Sequence, residues 1–327
     1  MKFSFITPIY NTNVKLLQKN LESIENLDLS DYEVVWVNDG SSNVETNKFC
    51  EQVSSENKHV KYHVQDNKGS AVARNVALDK ARGDYLIFVD ADDTINEEFD
   101  LKNFDCSADI VIYGYQVVSN IQSTKVVVDQ DGEDLIKLKK EILQNILYNP
   151  NVLQPYAFGA VWAKCFSKRF VDREGLRFHD ELRKTQDRVF MLEAISVAKS
   201  ISKSDDVMYD YYLNSESITH KVNYKVIDYY RDLIKVIRGC LQKYNIPLEY
   251  GMYLEYSLFI ETLNLTYFNV GCDLPPRERR KKFLDLYSVY DFKSLKVRDF
   301  KTIKQKIQFI LIKERQYKLL GYYYSKR

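Results

Sequence analysis

The run Asp84-Tyr85-Leu86-Ile87-Phe88-Val89-Asp90-Ala91-Asp92-Asp93 carries an apolar strand straight into a cluster of carboxylates. Side chains alternate faces along an extended chain, so Asp90 and Asp92 should point one way and Ala91 and Asp93 the other. Like charges converging at a strand end repel unless a cation lies between them. All-oxygen ligation suits Mg²⁺ or Mn²⁺, ions that keep positions open for substrate phosphates. The pattern predicts a metal-bridged diphosphate. A solvated acidic turn is the bland alternative for the same residues.

Two more segments put polar chemistry at strand ends. Phe5-Ile6-Thr7-Pro8-Ile9-Tyr10-Asn11 closes a first strand, and Val37-Asn38-Asp39-Gly40-Ser41-Ser42 closes a second. Open α/β sheets bind ligands outside those carboxyl ends. Tyr10 could stack on a base and Asp39 accept a pyrimidine imide N–H, although Asp-Gly is also a common turn. Asp66-Asn67-Lys68-Gly69 precedes a helix containing Ala73-Arg74-Asn75, where a helix start favours anionic groups and Arg74 could reach a base carbonyl or a phosphate.

The elements that must position these groups read as an alternation. Lys2 to Ile6, Tyr32 to Val37, Val60 to Val64 and Tyr85 to Val89 are short β-branched and aromatic runs. Helical periodicity spans Val14 to Leu27, and Ser70 to Arg82 is an Ala-rich helix with Gly83 expected as its left-handed C-terminal residue. Strand and helix alternating at this spacing predict an α/β, mostly parallel sheet flanked by helices, with right-handed crossovers. Asp109 to Tyr113 and Lys125 to Asp129 read as further strands. From Glu133 the pattern turns helical, first over Glu133 to Leu147 and later over Val226 to Leu241, Tyr250 to Tyr267 and Thr302 to Leu320. Pro275-Pro276 reads as a linker.

Composition narrows the class. The chain of 327 residues is long enough for two cores. Five scattered cysteines without Cys-x-x-Cys spacing argue against a disulfide framework or a zinc site and fit a reducing compartment. No signal peptide or membrane span is apparent, so a cytoplasmic location is expected. The net charge of +1 hides an asymmetry: Arg277 to Arg327 holds 16 Lys and Arg against five acids, about +11, leaving about −10 for the rest.

Thr7-Pro8-Ile9-Tyr10-Asn11, Asn38-Asp39-Gly40-Ser41-Ser42, Asn67-Lys68-Gly69, Ala73-Arg74-Asn75, Ala81-Arg82-Gly83-Asp84-Tyr85 and Asp90-Ala91-Asp92-Asp93 together resemble the family 2 glycosyltransferases of bacterial surface-polysaccharide synthesis. The resemblance is close over residues 1 to 95 and looser to about 220. It implies a GT-A (Rossmann-like) catalytic domain over residues 1–221 and a helical region over 222–327. It also implies a nucleotide-sugar donor, a divalent metal (Mn²⁺ or Mg²⁺) and inversion at the anomeric carbon. By that similarity Tyr10 and Asp39 contact the base, Asp90 the ribose and Asp92 the metal, with Thr7, Pro8, Asn11, Asn67, Gly69, Arg74 and Ala91 in the same nucleotide-sugar site. Asp90 and His220 are further metal candidates; His220 follows a polar loop where related enzymes cover the diphosphate. Trp162 and Lys164 match a position lining the acceptor side, although a buried Trp beside a snorkelling Lys fits equally.

The family places an acidic pair before an apolar helix as the catalytic base. Here Arg183-Lys184-Thr185-Gln186-Asp187-Arg188-Val189-Phe190 fits in position, with Gln186 replacing the usual Glu. Asp187 is therefore the expected base, with Asp180 and Glu181 in reserve; a plain helix-start Asp is the alternative. A second departure, Ala77 for a family Gly, favours helix stability by about 1 kcal/mol. The expected donor is a UDP-sugar and the expected acceptor a lipid-linked saccharide, with no nucleic acid partner. A protein-linked glycan is the alternative acceptor. A non-catalytic nucleotide-sugar sensor is disfavoured by retention of Asp92 and Asp187, and a nucleotidyltransferase by the lack of Gly or a basic residue from Thr7 to Asn13. The basic tail offers two readings of equal weight, an amphipathic contact with an anionic membrane or a helix packed on the core.

Overall fold

The computed structural model describes residues 2–101, 104–119, 123–127, 134–147, 157–213, 222–269, 271–292 and 294–325. They divide into two compact units, one of Met1–Lys139 with Pro155–Ser215 and one of Lys140–Gln154 with Glu216–Arg327. The boundary falls within the helix Leu135–Ile146.

The first unit is built on a nine-stranded sheet. Its strands are β1 (Phe3–Ile9), β2 (Tyr32–Asp39), β3 (Val60–Gln65), β4 (Tyr85–Phe88), β5 (Thr94–Ile95), β6 (Ile110–Val118), β7 (Ser123–Val126), β8 (Lys164–Ser167) and β9 (Ile201–Tyr212). The order is β3-β2-β1-β4-β8-β6-β9-β5, with β7 paired to β6. Strands β3, β2, β1 and β4 are mutually parallel. Because β8 is antiparallel to both β4 and β6, and β9 is parallel to β6, six of the nine strands run in one direction. Helices α1 (Val14–Glu25), α2 (Val44–Glu56) and α3 (Ser70–Lys80) connect the first four strands. After them come α4 (Leu135–Ile146), α5 (Lys168–Glu174) and α6 (Gln186–Val197).

Strands covered on both sides need apolar residues on both sides, and β1 obeys this. On one face Phe3, Phe5 and Ile9 join Trp36 and the α1 residues Leu17, Leu21 and Ile24 in one core, and Ile6 is buried on the other. On β4, Phe88 meets Phe166, Phe178 and Phe190 edge-on, and Phe178 stacks on Phe190 at 4.3 Å. Asn13 caps α1 by accepting the Lys15 N–H. Helix α2 went unread in the sequence because only Thr46 and Cys50 are buried along it, too few for a periodic stripe.

Gly83 departs from expectation. Helix α3 stops at Lys80 with Ala81 extended, so Gly83 is no left-handed cap. Its role is close approach: a Cβ there would lie 2.6 Å from Ser4 Oγ and 2.7 Å from Ser4 N. The Gly83 N–H donates to Ser4 Oγ (2.8 Å), whose hydroxyl donates to the buried Glu33 carboxylate (2.7 Å).

The second unit contains α7 (Val226–Lys243), α8 (Leu248–Leu265), α9 (Pro276–Val289), α10 (Ile303–Lys313) and α11 (Tyr317–Ser325). Phe259, Phe283, Tyr287 and Phe292 form an aromatic core. Two sequence readings change here. Pro275-Pro276 is no linker: Pro276 is the first helical residue of α9, where its missing N–H costs nothing. The single helix expected from Thr302 to Leu320 breaks at Glu314–Gln316, with Arg315 in the left-handed region (φ 53°).

Gly83→Ala should strain the α3–β4 entry by about 1–3 kcal/mol through overpacking. The melting temperature should fall by several degrees. An unchanged melting temperature would show that the Ser4 contact yields freely.

Candidate functional site

The carboxyl ends of β1, β2 and β4 open onto a cavity of about 580 Å³. Pro8, Tyr10, Asn11, Asp39, Asn67, Gly69, Arg74, Asp90, Ala91 and Asp92 all line it. Thr7 does not: it is fully buried within β1. His220 lies outside the described residues.

On the β2 side, Asp39 organises the loop before α3. Its carboxylate accepts from Gln65 Nε2 (2.7 Å) and from the backbone N–H groups of Lys68 and Gly69 (2.8 Å each). A carboxylate offers about four acceptor positions, so about one remains for an imide N–H. Gly40 turns the chain at φ 68°, where a Cβ would sit 2.7 Å from Asn67 N. Asn11 joins the β1 and β2 ends, receiving the Asn43 N–H and donating its own N–H to Ser41 Oγ. Tyr10 stands 54% exposed at the rim, free to stack.

On the β4 side, Asp90 to Asp93 form a turn closed by the Asp93 N–H on the Asp90 carbonyl (3.1 Å). The extended alternation anticipated from the sequence therefore fails, and Ala91 shares the cavity wall with Asp90 and Asp92. Asp93 still turns away: it is buried, accepting from the Tyr209 hydroxyl (2.8 Å) and the Tyr212 N–H (2.9 Å). Burial pushes the Asp93 carboxyl up to about 8. Tyr209 Oη also accepts the Asp90 N–H, and Asn20 of α1 donates to the carbonyls of Asp90 and Asp93. Asn20 and Tyr209 were missed from sequence. The available signal was an Asn on the apolar stripe of an amphipathic helix; Tyr209 had none.

Asp92 is solvent-accessible, yet the surrounding protein and the Asp90 charge raise its pKa. Two adjoining carboxylates, all-oxygen and facing one cavity, would suit a divalent cation that keeps positions open for a diphosphate.

Arg74 is the joint of the site. It is 5% exposed, its guanidinium 5.5 Å from the Phe178 ring centre. Nη2 donates to Asp90 Oδ1 and Nη1 to Asp187 Oδ1, both at 2.8 Å. Asp187 lies in the first turn of α6, whose start is fixed by Gln186 donating to Ser70 Oγ. Although 23% of its side chain reaches solvent, desolvation raises the Asp187 pKa, against the opposing charges of Arg74 and Lys164. Lys164 is buried, donating to the Ala157 and Trp162 carbonyls, and burial pushes it down to about 7. Trp162 is buried too, sandwiched between Tyr209 (4.9 Å) and Tyr211 (5.5 Å). Of the reserve carboxylates, Asp180 accepts from Asn75 (2.8 Å) and Glu181 pairs with His179.

A doubly wound sheet edge carrying a polar cleft, with adjoining acids and a partly buried carboxylate beside them, is where open α/β sheets place their ligands. Residues 4–162 match the family model described as Glycosyl transferase family 2. EpsH of Bacillus subtilis strain 168, itself named provisionally as a glycosyltransferase, is 26% identical over 258 residues, 77% of this chain and 72% of EpsH. TarP of Staphylococcus aureus strain N315, a poly(ribitol-phosphate) beta-N-acetylglucosaminyltransferase, is 27% identical over 65% of this chain and 62% of TarP. The crystal structure of S. aureus TarS 1-349 with UDP-GlcNAc superposes with a TM-score of 0.65 at 20% identity, covering 97% of this chain and 89% of that one. The fold is thus the GT-A fold.

Arg74→Ala leaves two carboxylates facing each other without their shared cation. The cost should approach about 3 kcal/mol, the low end for broken buried pairs because both acids are partly solvated. Arg74→Lys keeps the charge but cannot fork to both acids, so it should recover only part of the loss in denaturant unfolding. Full stability of the alanine variant would remove Arg74 as the joint.

Proposed function

We propose that this chain is a metal-dependent inverting glycosyltransferase that moves a sugar from a UDP-sugar to a saccharide hydroxyl, on a lipid-linked acceptor in bacterial surface-polysaccharide synthesis. One observation carries the reading: Arg74 holds Asp187 and Asp90 together at 2.8 Å each, so a carboxylate suited to proton abstraction is fixed beside the cavity that suits the donor. UDP is favoured by the acceptor position left on Asp39 and by the UDP-GlcNAc held by TarS. Inversion is favoured because TarP is named for a beta product, while UDP-GlcNAc carries an α-linked sugar.

Asp92, with Asp90, would hold the Mg²⁺ or Mn²⁺, which would neutralise the leaving diphosphate. Tyr10 stacks on the base and Asp39 accepts the imide N–H. Asp187 takes the acceptor proton as that oxygen attacks the anomeric carbon and the bond to UDP breaks. Desolvation strengthens Asp187 as a base, and the opposing charges of Arg74 and Lys164 limit that rise. The Asp187 to Asp90 link also ties base and donor into one rigid frame, as displacement geometry demands.

A screen of UDP-sugars for metal-dependent slow hydrolysis identifies the donor without the acceptor. With the donor known, Asp187→Asn should lower kcat by about 10² to 10⁴ with little change in donor KM. Transfer by the wild type should fall as pH drops and Asp187 protonates, with the descending limb above the ordinary aspartate value of about 3.9 because the pKa is raised. If Asp187→Asn instead weakens donor binding at unchanged kcat, the base lies elsewhere, Asp180 being next. Full turnover in chelator would exclude the metal.

A further inference from the structure

Helix α10 has two apolar faces. Phe309 and Ile312 are fully buried, Phe309 packing on Tyr256 and Phe300 within the second unit. The other face is turned to solvent, with Ile303 76%, Ile307 46% and Ile310 42% exposed. Spacings of four and three residues put these three isoleucines on one stripe. At 100° per residue Lys304 falls on one flank of it and Lys306 on the other, while the Lys313 ammonium turns to the Leu295 carbonyl (3.1 Å). Helix α11 adds exposed Leu319 and Tyr322, three residues apart, beside Lys318. Three β-branched side chains in a row on water are not what a solvated helix selects; the flanks of the stripe carry cations, and the acid Glu314 lies at its C-terminal end.

We infer that the Ile303–Ile307–Ile310 stripe and its flanking lysines form a docking surface for an anionic lipid bilayer. The charge argument selects this occupant. Lys301 to Arg327 contains eight basic residues and one acid, Glu314. A two-fold contact of stripe on stripe with a second copy would bring two such cationic borders together, whereas anionic headgroups neutralise them. The arrangement is that of an interfacial helix, with aliphatic side chains below the headgroups and ammonium groups among them. Long-range attraction favours the basic end of the chain, since residues 1–276 carry about −10. The inference concerns location and does not depend on the proposed chemistry. Because α10 is also rooted in the core, its deletion would confuse docking with unfolding, and surface substitutions are the cleaner probe.

Flotation with phosphatidylglycerol and phosphatidylcholine vesicles provides the test, using the full chain. The wild type should float with the anionic vesicles alone, and raising the salt to about 0.5 M should reduce the bound fraction about tenfold. The triple variant Ile303→Ser, Ile307→Ser, Ile310→Ser should stay unbound while keeping the wild-type melting temperature. Should that variant melt early, Lys304→Glu with Lys306→Glu decides, with the same loss expected. Failure of the wild type to float, or undiminished flotation of the folded variants, overturns the inference. So does a wild-type dimer by light scattering that the triple variant converts to monomer, since the stripe would then be a subunit contact.

Discussion

A single guanidinium, that of Arg74, holds the candidate site together. A buried arginine is costly unless its donors meet charges, and here two carboxylates supply them from different parts of the chain. Asp90 comes from the turn after β4, and Asp187 from the start of α6, almost a hundred residues later. The Phe178 ring beneath the guanidinium limits where it can move. One residue thereby fixes the register between the sheet edge that suits a nucleotide and the helix that supplies the candidate base.

The surroundings carry the cost of that arrangement. Desolvation and like charges raise Asp92, Asp93 and Asp187 together. Several of the surrounding hydrogen bonds counter this: Tyr209 and the Tyr212 N–H support Asp93, while Asn20 holds the carbonyls of its turn. Asp90 and Asp92 both line the cavity, where a divalent cation with a diphosphate would suit them. Electrostatic strain at this point is a signature of sites that act on charged ligands.

Much of this was legible in the sequence because it is local. Strands ending in Tyr10, Asp39 and Asp90 could be read from β-branched runs that stop at polar residues, and all three line one cavity. What escaped depends on distant partners. The pairing of Arg74 with Asp187 spans 113 residues, and nothing in the Ala-rich α3 distinguishes a buried Arg from a surface one. Tyr209 sits in a tyrosine-rich run with no marker of its contact to Asp93. Gly83 was misread because a glycine after a helix usually caps it, and only the neighbouring β1 backbone explains its small size. Pro275-Pro276 was misread because proline punctuates loops and also begins helices. The tail was read as packed or membrane-bound; α10 packs Phe309 and Ile312 into the core and leaves Ile303, Ile307 and Ile310 exposed.

In the proposed reaction one carboxylate, Asp187, activates the nucleophile opposite the departing UDP, with no covalent sugar intermediate. The most direct measurement is proton NMR of the anomeric signal during slow hydrolysis of an α-linked UDP-sugar, recorded before mutarotation. The first sugar released should be the β-anomer, and its release should slow in Asp187→Asn. Initial release of the α-anomer would mean retention, and would contradict a single-displacement site built on Asp187.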